Sequence, residues 1–191
     1  MFEILLSHIQ LKVELSEIDK NLLKTFFKTK KLRKGQYLLQ QDQVCKDLAF
    51  VSKGVLKSYL LDEKGIENIN LLGWEGWWIS DFQSFVYQEP AIFDIEAVEP
   101  CELLLLSREN YEKLMDEIPL MEKYFRLLFE RSLASKDRSL ISFNAFTAEE
   151  KYDQLLQNYP AILERIPQYL LASYVGVTPE TFSRIKNKKS K

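Results

Sequence analysis

With 191 residues, 46% hydrophobic and 13% aromatic, the chain has ample apolar material for one or two globular domains. A formal charge of −2 excludes a uniformly basic nucleic-acid coat. No apolar run approaches the roughly 20 residues of a membrane span, and the start, Met-Phe-Glu-Ile-Leu-Leu-Ser-His, lacks the basic region of a secretory signal, so a cytoplasmic protein is expected.

Residues 3–28 read as short helices. Ser16 with Asp19 has the form of a capping box, and Leu22, Leu23, Phe26 and Phe27 make an apolar face. After Thr29 the character changes. Tyr37–Leu39, Leu48–Val51, Val55–Leu61, Ile66–Leu72, Phe93–Val98 and Cys101–Leu106 are strand-like runs punctuated by Gly35, Gly54, Gly65, Gly73 and Pro100. Strands at such spacing predict an all-β barrel or sandwich, with Asp62–Gly65 as a hairpin loop.

Beyond Ser107, itself a helix cap, the chain turns helical. A long helix is expected over 119–142. Its apolar residues, among them Met121, Tyr124, Phe125, Leu128, Leu133, Leu140 and Ile141, cover more than one face, so it needs two packing partners. One is the β-domain; the other is the same helix of a second subunit, or else a neighbour within one chain. Phe143–Phe146 reads as a hinge, Thr147 caps the next helix, and that helix ends near Pro160.

The stretch Tyr169–Lys186 reads as a helix-turn-helix. Ala172 is small where two helices meet, Gly176 falls at the turn, Thr178 suits an N-cap and Pro179 the first helical position. Leu171, Val175, Phe182 and Ile185 close a small core, which leaves Glu180 and Arg184 outward on one face. From Arg165 to Lys191 there are six basic residues and one acidic, a local excess of five positive charges on an otherwise acidic chain. That distribution suits a small face meeting phosphate. A solvated lysine tail is the plainer reading of the same residues.

Enzyme chemistry is not expected. There is no nucleophile–base pair and no Gly-rich phosphate loop. Cys45 and Cys101 lack the spacing of a disulfide framework, a zinc site or an iron–sulfur cluster. His8, the single histidine, reads as a surface residue rather than a haem ligand. No cofactor or metal is implied.

A β-domain, a long helix and a terminal helix-turn-helix, in that order, resemble the Crp/Fnr superfamily of transcription regulators. The resemblance rests on Lys34-Gly35-Gln-Tyr-Leu-Leu, Phe50-Val-Ser-Lys-Gly54-Val-Leu-Lys, the segment Gly73–Phe82 and the motif Leu170–Ile185. It implies an α+β chain with a cyclic-nucleotide-binding-like β-roll (a double-stranded β-helix) over 1–118, a dimerisation helix over 119–142 and a DNA-binding domain over 143–191. Met121, Tyr124, Phe125, Leu128 and Ser132 are the residues assigned to the dimer helix.

In nucleotide-binding members the pocket reads Gly-Glu-x-x-Gly-Glu-Leu, followed by Arg-Ser or Arg-Thr. The matching residues here are Gly76, Trp77, Trp78, Ile79, Ser80, Asp81 and Phe82, and Pro90-Ala91 stands where the phosphate-binding arginine belongs. Losing that charge-assisted pair removes about 1.5–3 kcal/mol, so tight binding of cyclic AMP or cyclic GMP is not expected. Trp74, Trp77 and Trp78 either stack on a flat ligand or fill the vacated pocket as core.

The resemblance places Pro179, Glu180 and Arg184 at base edges in the major groove. It assigns Gln168, Thr178, Thr181, Ser183, Lys186 and Lys188 to phosphates. Proline stands where known relatives have an arginine. The chain also ends at Lys191, so the β-hairpin wing that often follows is not expected. The implied partners are double-stranded DNA, a second copy of the chain, a small-molecule effector and RNA polymerase, with no membrane. A ligand- or protein-binding module of this fold that has lost specific DNA binding is the alternative.

Overall fold

The computed structural model describes the backbone of residues 1–189 and all their side chains except those of 138–144 and 189. Of the features expected above, the side chains of Leu140, Ile141, Phe143 and Lys189, together with the whole of Lys191, lie outside the described residues. The chain is α+β and forms two compact units, one of Met1–Tyr59 with Leu72–Glu130, the other of Leu60–Leu71 with Arg131–Lys191.

The first unit begins with α1 (Phe2–Gln10) and α2 (Glu17–Thr25). Ser16 caps α2: its Oγ accepts from the Asp19 amide at 3.1 Å, and the Asp19 carboxylate accepts from the Ser16 amide at 3.2 Å. The strands are β1 (Phe27–Leu32), β2 (Tyr37–Leu39), β3 (Asp47–Lys53), β4 (Leu56–Leu61), β5 (Glu67–Gly73), β6 (Trp78–Ile79), β7 (Asp94–Ala97) and β8 (Cys101–Ser107). They form two four-stranded sheets, ordered β1-β8-β3-β6 and β2-β7-β4-β5. β8 runs antiparallel to β1, from Phe27 opposite Leu106 to Leu32 opposite Cys101, and antiparallel to β3 on its other side. Leu48–Ser52 of β3 are buried without alternation, as expected of an inner strand covered on both faces.

The expected helical face at Phe26–Phe27 ends earlier than the sequence suggests. α2 stops at Thr25, and Phe27 opens β1. The lysine-rich run Phe27–Leu32 is buried only at its two ends. It becomes a strand because β8 offers six residues of register, a tertiary cause that overrides weak local preference.

α3 (Phe82–Tyr87) follows β6, and α4 (Arg108–Glu117) is capped by Ser107, whose Oγ accepts from the Asn110 amide at 3.2 Å. α5 (Leu120–Ala145) passes beyond the expected end at 142, so the break in the chain falls at Phe146-Thr147. Met121, Tyr124 and Phe125 are at most 2% exposed, buried within their own unit. Of the residues assigned to the dimer helix, these three are thus already covered by their own roll. Leu128 is half-buried and Ser132 exposed; among the described residues of α5, Leu120 and Leu133 are large apolar side chains left exposed. Rings cluster beneath the helix: Trp78 lies 5.3 Å from Phe50 and 5.4 Å from Phe125, with Tyr111 and Tyr124 each 5.0 Å from Phe125.

His8 is not the surface residue expected. Its Nδ1 is 2.8 Å from the Tyr124 hydroxyl, which also accepts from Trp78 Nε1 at 2.8 Å. The residue thus joins α1 to α5.

The second unit contains the tip of the β4–β5 hairpin, the later part of α5, α6 (Ala148–Asn158), α7 (Pro160–Leu163), α8 (Gln168–Val175) and α9 (Pro179–Lys189). Thr147 and Glu150 form the capping box of α6.

Candidate nucleic-acid interface and effector segment

α8 and α9 meet across Gly176, which closes α8 at φ 86°. Its amide donates to the Ala172 carbonyl at 2.9 Å, as does that of Val177. Such a left-handed cap costs little only for glycine. Thr178 Oγ1 then accepts from the Thr181 amide at 3.3 Å and starts α9. Ala172 and Phe182 are fully buried, with Leu171, Val175 and Ile185 below 8% exposure. Tyr152 of α6 meets the Phe182 ring edge-on at 5.1 Å, so α6 is the third wall of this core.

The opposite side of α9 is polar. Gln168, Thr178, Pro179, Glu180, Arg184 and Lys188 are exposed, and Thr181, Ser183 and Lys186 are half-exposed. Arg184 Nη2 donates to Thr181 Oγ1 at 3.1 Å. The Glu180 carboxyl is held below its ordinary range by its own backbone amide and then by the Thr178 hydroxyl. Lys188 Nζ meets both carboxylate oxygens of Glu149, at 3.0 and 3.3 Å. These residues surround a concavity of about 510 Å³ between the start of α6 and α9, lined by Thr147, Glu149, Thr181, Arg184 and Lys188. Glu149 was not foreseen. It lies 39 residues from Lys188, and only the tertiary fold brings the two together.

In the first unit, Gly73–Phe82 runs across the end of β3. Val51 receives Gly76 N–H at its carbonyl, 2.9 Å, and gives its own amide to Trp77 O at 2.8 Å. Trp74 and Trp77 pack at 4.6 Å, while Trp78 joins the aromatic core. Ile79 is buried, and Phe82 is 42% exposed with its ring 4.8 Å from Phe129. Glu75, another residue not foreseen, accepts from the Gly54 amide at 2.8 Å.

Asp81 is the centre of the segment. It is 4% exposed and caps α3: Oδ1 accepts from the Ser84 amide at 3.0 Å. Its other oxygen accepts from Ile92 N–H at 2.9 Å and Phe93 N–H at 3.4 Å. One carboxylate therefore gathers the amides of two chain segments. Pro90 is exposed and Ala91 buried, in the loop that Asp81 holds. Ser80 lines a cleft of about 510 Å³, together with Lys30, Leu39, Cys45 and Ile95. Among the described residues no group of His, Cys, Asp and Glu could hold a metal ion.

Residues 29–118 match the cyclic nucleotide-binding domain family. The transcriptional activator protein Anr of Pseudomonas aeruginosa is 23% identical over 172 residues, covering 81% of this chain and 67% of that protein. The c-di-GMP-responsive regulator CLP of Xanthomonas campestris superposes with TM-score 0.73 at 13% identity, over 92% of each chain. These likenesses give the fold, a cyclic nucleotide-binding roll followed by helices. FixK2 of Bradyrhizobium japonicum has the same architecture, with TM-score 0.71 and 18% identity over 86% of this chain and 84% of that one.

Within this cyclic nucleotide-binding roll, Cys45 provides a direct check on the packing around the effector segment. Its amide donates to Ser84 Oγ at 2.8 Å, and burial pushes its thiol up to about 11. The thiol is thus kept protonated at neutral pH. Stability tied to this group is complete below the ordinary thiol value of 9.0 and is lost as pH rises through about 11. Iodoacetamide at pH 8 is expected to leave native Cys45 unmodified and to alkylate it after denaturation. Rapid labelling of the native protein, read by peptide mass, would contradict this burial.

Proposed function

We propose that the chain is a DNA-binding transcription regulator acting as a homodimer, with α9 of each subunit entering the major groove. Residues 143–191 form the DNA-binding part and 119–142 the dimerisation helix, with Leu128, Ser132 and Leu133 facing the second subunit. The observation that carries the reading is α8–Gly176–α9, whose polar side exposes Arg184 and Lys188 beside the concavity at the start of α6. Similarity to Anr supports regulation rather than enzyme chemistry. RNA polymerase and a small-molecule effector are the further partners of such a regulator. No helix among the described residues is long and apolar enough to cross a membrane, in keeping with a cytoplasmic protein.

Arg184 pairs with a guanine edge, Glu180 accepts from a cytosine amine, and Thr181, Ser183 and Lys186 contact phosphates. Lys188 reaches phosphate by leaving Glu149. In the roll, cyclic AMP and cyclic GMP bind weakly: Ala91 brings no cation, and the amides of Ile92 and Phe93 already serve Asp81.

Selection of genomic fragments by the purified protein, followed by binding at several salt concentrations, tests the reading. A near-palindromic site and a dimer in sedimentation are the expected results. Weak binding to all DNA alike, vanishing with salt, would leave an electrostatic surface and favour the module reading, which the Glu149–Lys188 pairing also favours. Arg184→Ala is expected to cost about 1–3 kcal/mol on the selected site and to relax one position per half-site. Equal losses on selected and random DNA would remove Arg184 from base reading.

A further inference from the structure

The hydroxyl of Ser173, midway along α8, bonds outside its own helix. Ser173 Oγ donates to the Glu67 carbonyl at 2.7 Å and accepts from the Ile69 amide at 3.2 Å. A helical serine more often returns its hydroxyl to its own helix. Here it reaches a strand more than 100 residues earlier in the chain.

The two strand groups are not arbitrary. Residues i and i+2 of a strand direct their backbone groups to the same edge, and β5 is the outermost strand of its sheet. A hydroxyl has one proton to give and two lone pairs. Ser173 therefore satisfies an adjacent carbonyl and amide of an open edge, where another strand would otherwise pair. Glu67, Ile69 and Ser173 all belong to the second compact unit. On one side of this contact, α8 closes on α9 through Ala172 and Phe182. On the other, β5 continues without interruption into Gly73–Phe82.

We propose that Ser173 is a positioning residue for DNA reading: it fastens α8, and through it α9, to the strand that leads into the effector segment. The proposal rests on the DNA-binding reading above. The fastening is discrete. A one-residue slip of β5 turns the groups of Glu67 and Ile69 to the other edge, and a single hydroxyl can no longer bridge them.

The test uses the full chain as wild type, Ser173→Ala and Ser173→Thr. Amide hydrogen exchange is read at Ile69, and affinity is measured on the selected site and on random duplex. Ser173→Ala is expected to speed Ile69 exchange by up to roughly tenfold, as loss of one hydrogen bond implies. It is also expected to weaken the selected site by about fivefold or more, in the range of measured couplings, with random DNA unchanged. Ser173→Thr, which keeps the hydroxyl, restores both. If Ser173→Ala fails to fold, Ile69→Pro removes the same bond from the strand, at an edge where proline is tolerated, and the same loss of selectivity is expected. Unchanged Ile69 exchange in Ser173→Ala overturns the fastening. Faster exchange with undiminished selectivity overturns the positioning role. A wild-type chain that selects no site overturns the DNA reading and this proposal together, so the two failures are distinguishable.

Discussion

Replacing Phe182 with alanine is expected to unfold the terminal helices while leaving the β-roll folded. The Phe182 side chain has no exposure, and its ring is the contact at which α9 meets Tyr152 of α6. Truncating a buried phenylalanine costs about 3–5 kcal/mol, from lost transfer energy and from the cavity left behind. Few large residues close this core, chiefly Leu170, Leu171, Val175, Phe182 and Ile185, so the loss is comparable with the stability of a small unit. Each kcal/mol lowers the melting temperature of such a unit by roughly 4–8 °C. Calorimetry should therefore show a terminal-unit transition at least about 12 °C lower, and DNA binding should be lost with it. Phe182→Leu, which keeps most of the volume, should lose far less. A melt unchanged by Phe182→Ala would mean that α9 does not pack as described.

Gly54→Ala is expected to strike the roll as severely, for a different reason. Gly54 sits between β3 and β4 at φ +98°, and a Cβ there would lie 2.6 Å from both Cys101 Sγ and the Pro100 carbonyl. The positive φ costs an alanine about 1–3 kcal/mol, and the overlap with backbone a similar amount. The damage should also travel. The Gly54 amide donates to Glu75, in the segment that holds all three tryptophans of the chain. Tryptophan emission should shift along with the melting temperature. Loss of stability with unchanged emission would show that Glu75 does not transmit the strain.

The helix-turn-helix was legible in the sequence because its determinants are local. Gly176, Thr178 and Pro179 set the turn and the start of α9, and Leu171, Val175, Phe182 and Ile185 repeat at helical spacing. Six of the strands were legible for a similar reason, as apolar runs between turn residues. β1 was not: Phe27–Leu32 carries three lysines and takes its conformation from β8. α3 was not either, because six residues hold no period and its start depends on Asp81. At the candidate sites, residue types could be read but their partners could not. The aromatic face of α5 was visible as apolar, yet the pattern does not say whether Met121, Tyr124 and Phe125 meet another subunit or their own roll. His8 with Tyr124, and Glu149 with Lys188, lie 116 and 39 residues apart. Such pairs leave no local signal.

The carboxylate of Asp81 also behaves as a tethered ligand. Built into the chain, it is present at an effective concentration on the order of millimolar or above, which no dilution reduces. Any soluble anion seeking the amides of Ile92 and Phe93 competes against this permanent occupant. Displacing it would strand a buried charge, at a cost exceeding what two new amide hydrogen bonds return. The loop therefore discriminates by charge: a neutral or cationic molecule can approach Asp81 without evicting it, whereas an anion has to compete with it.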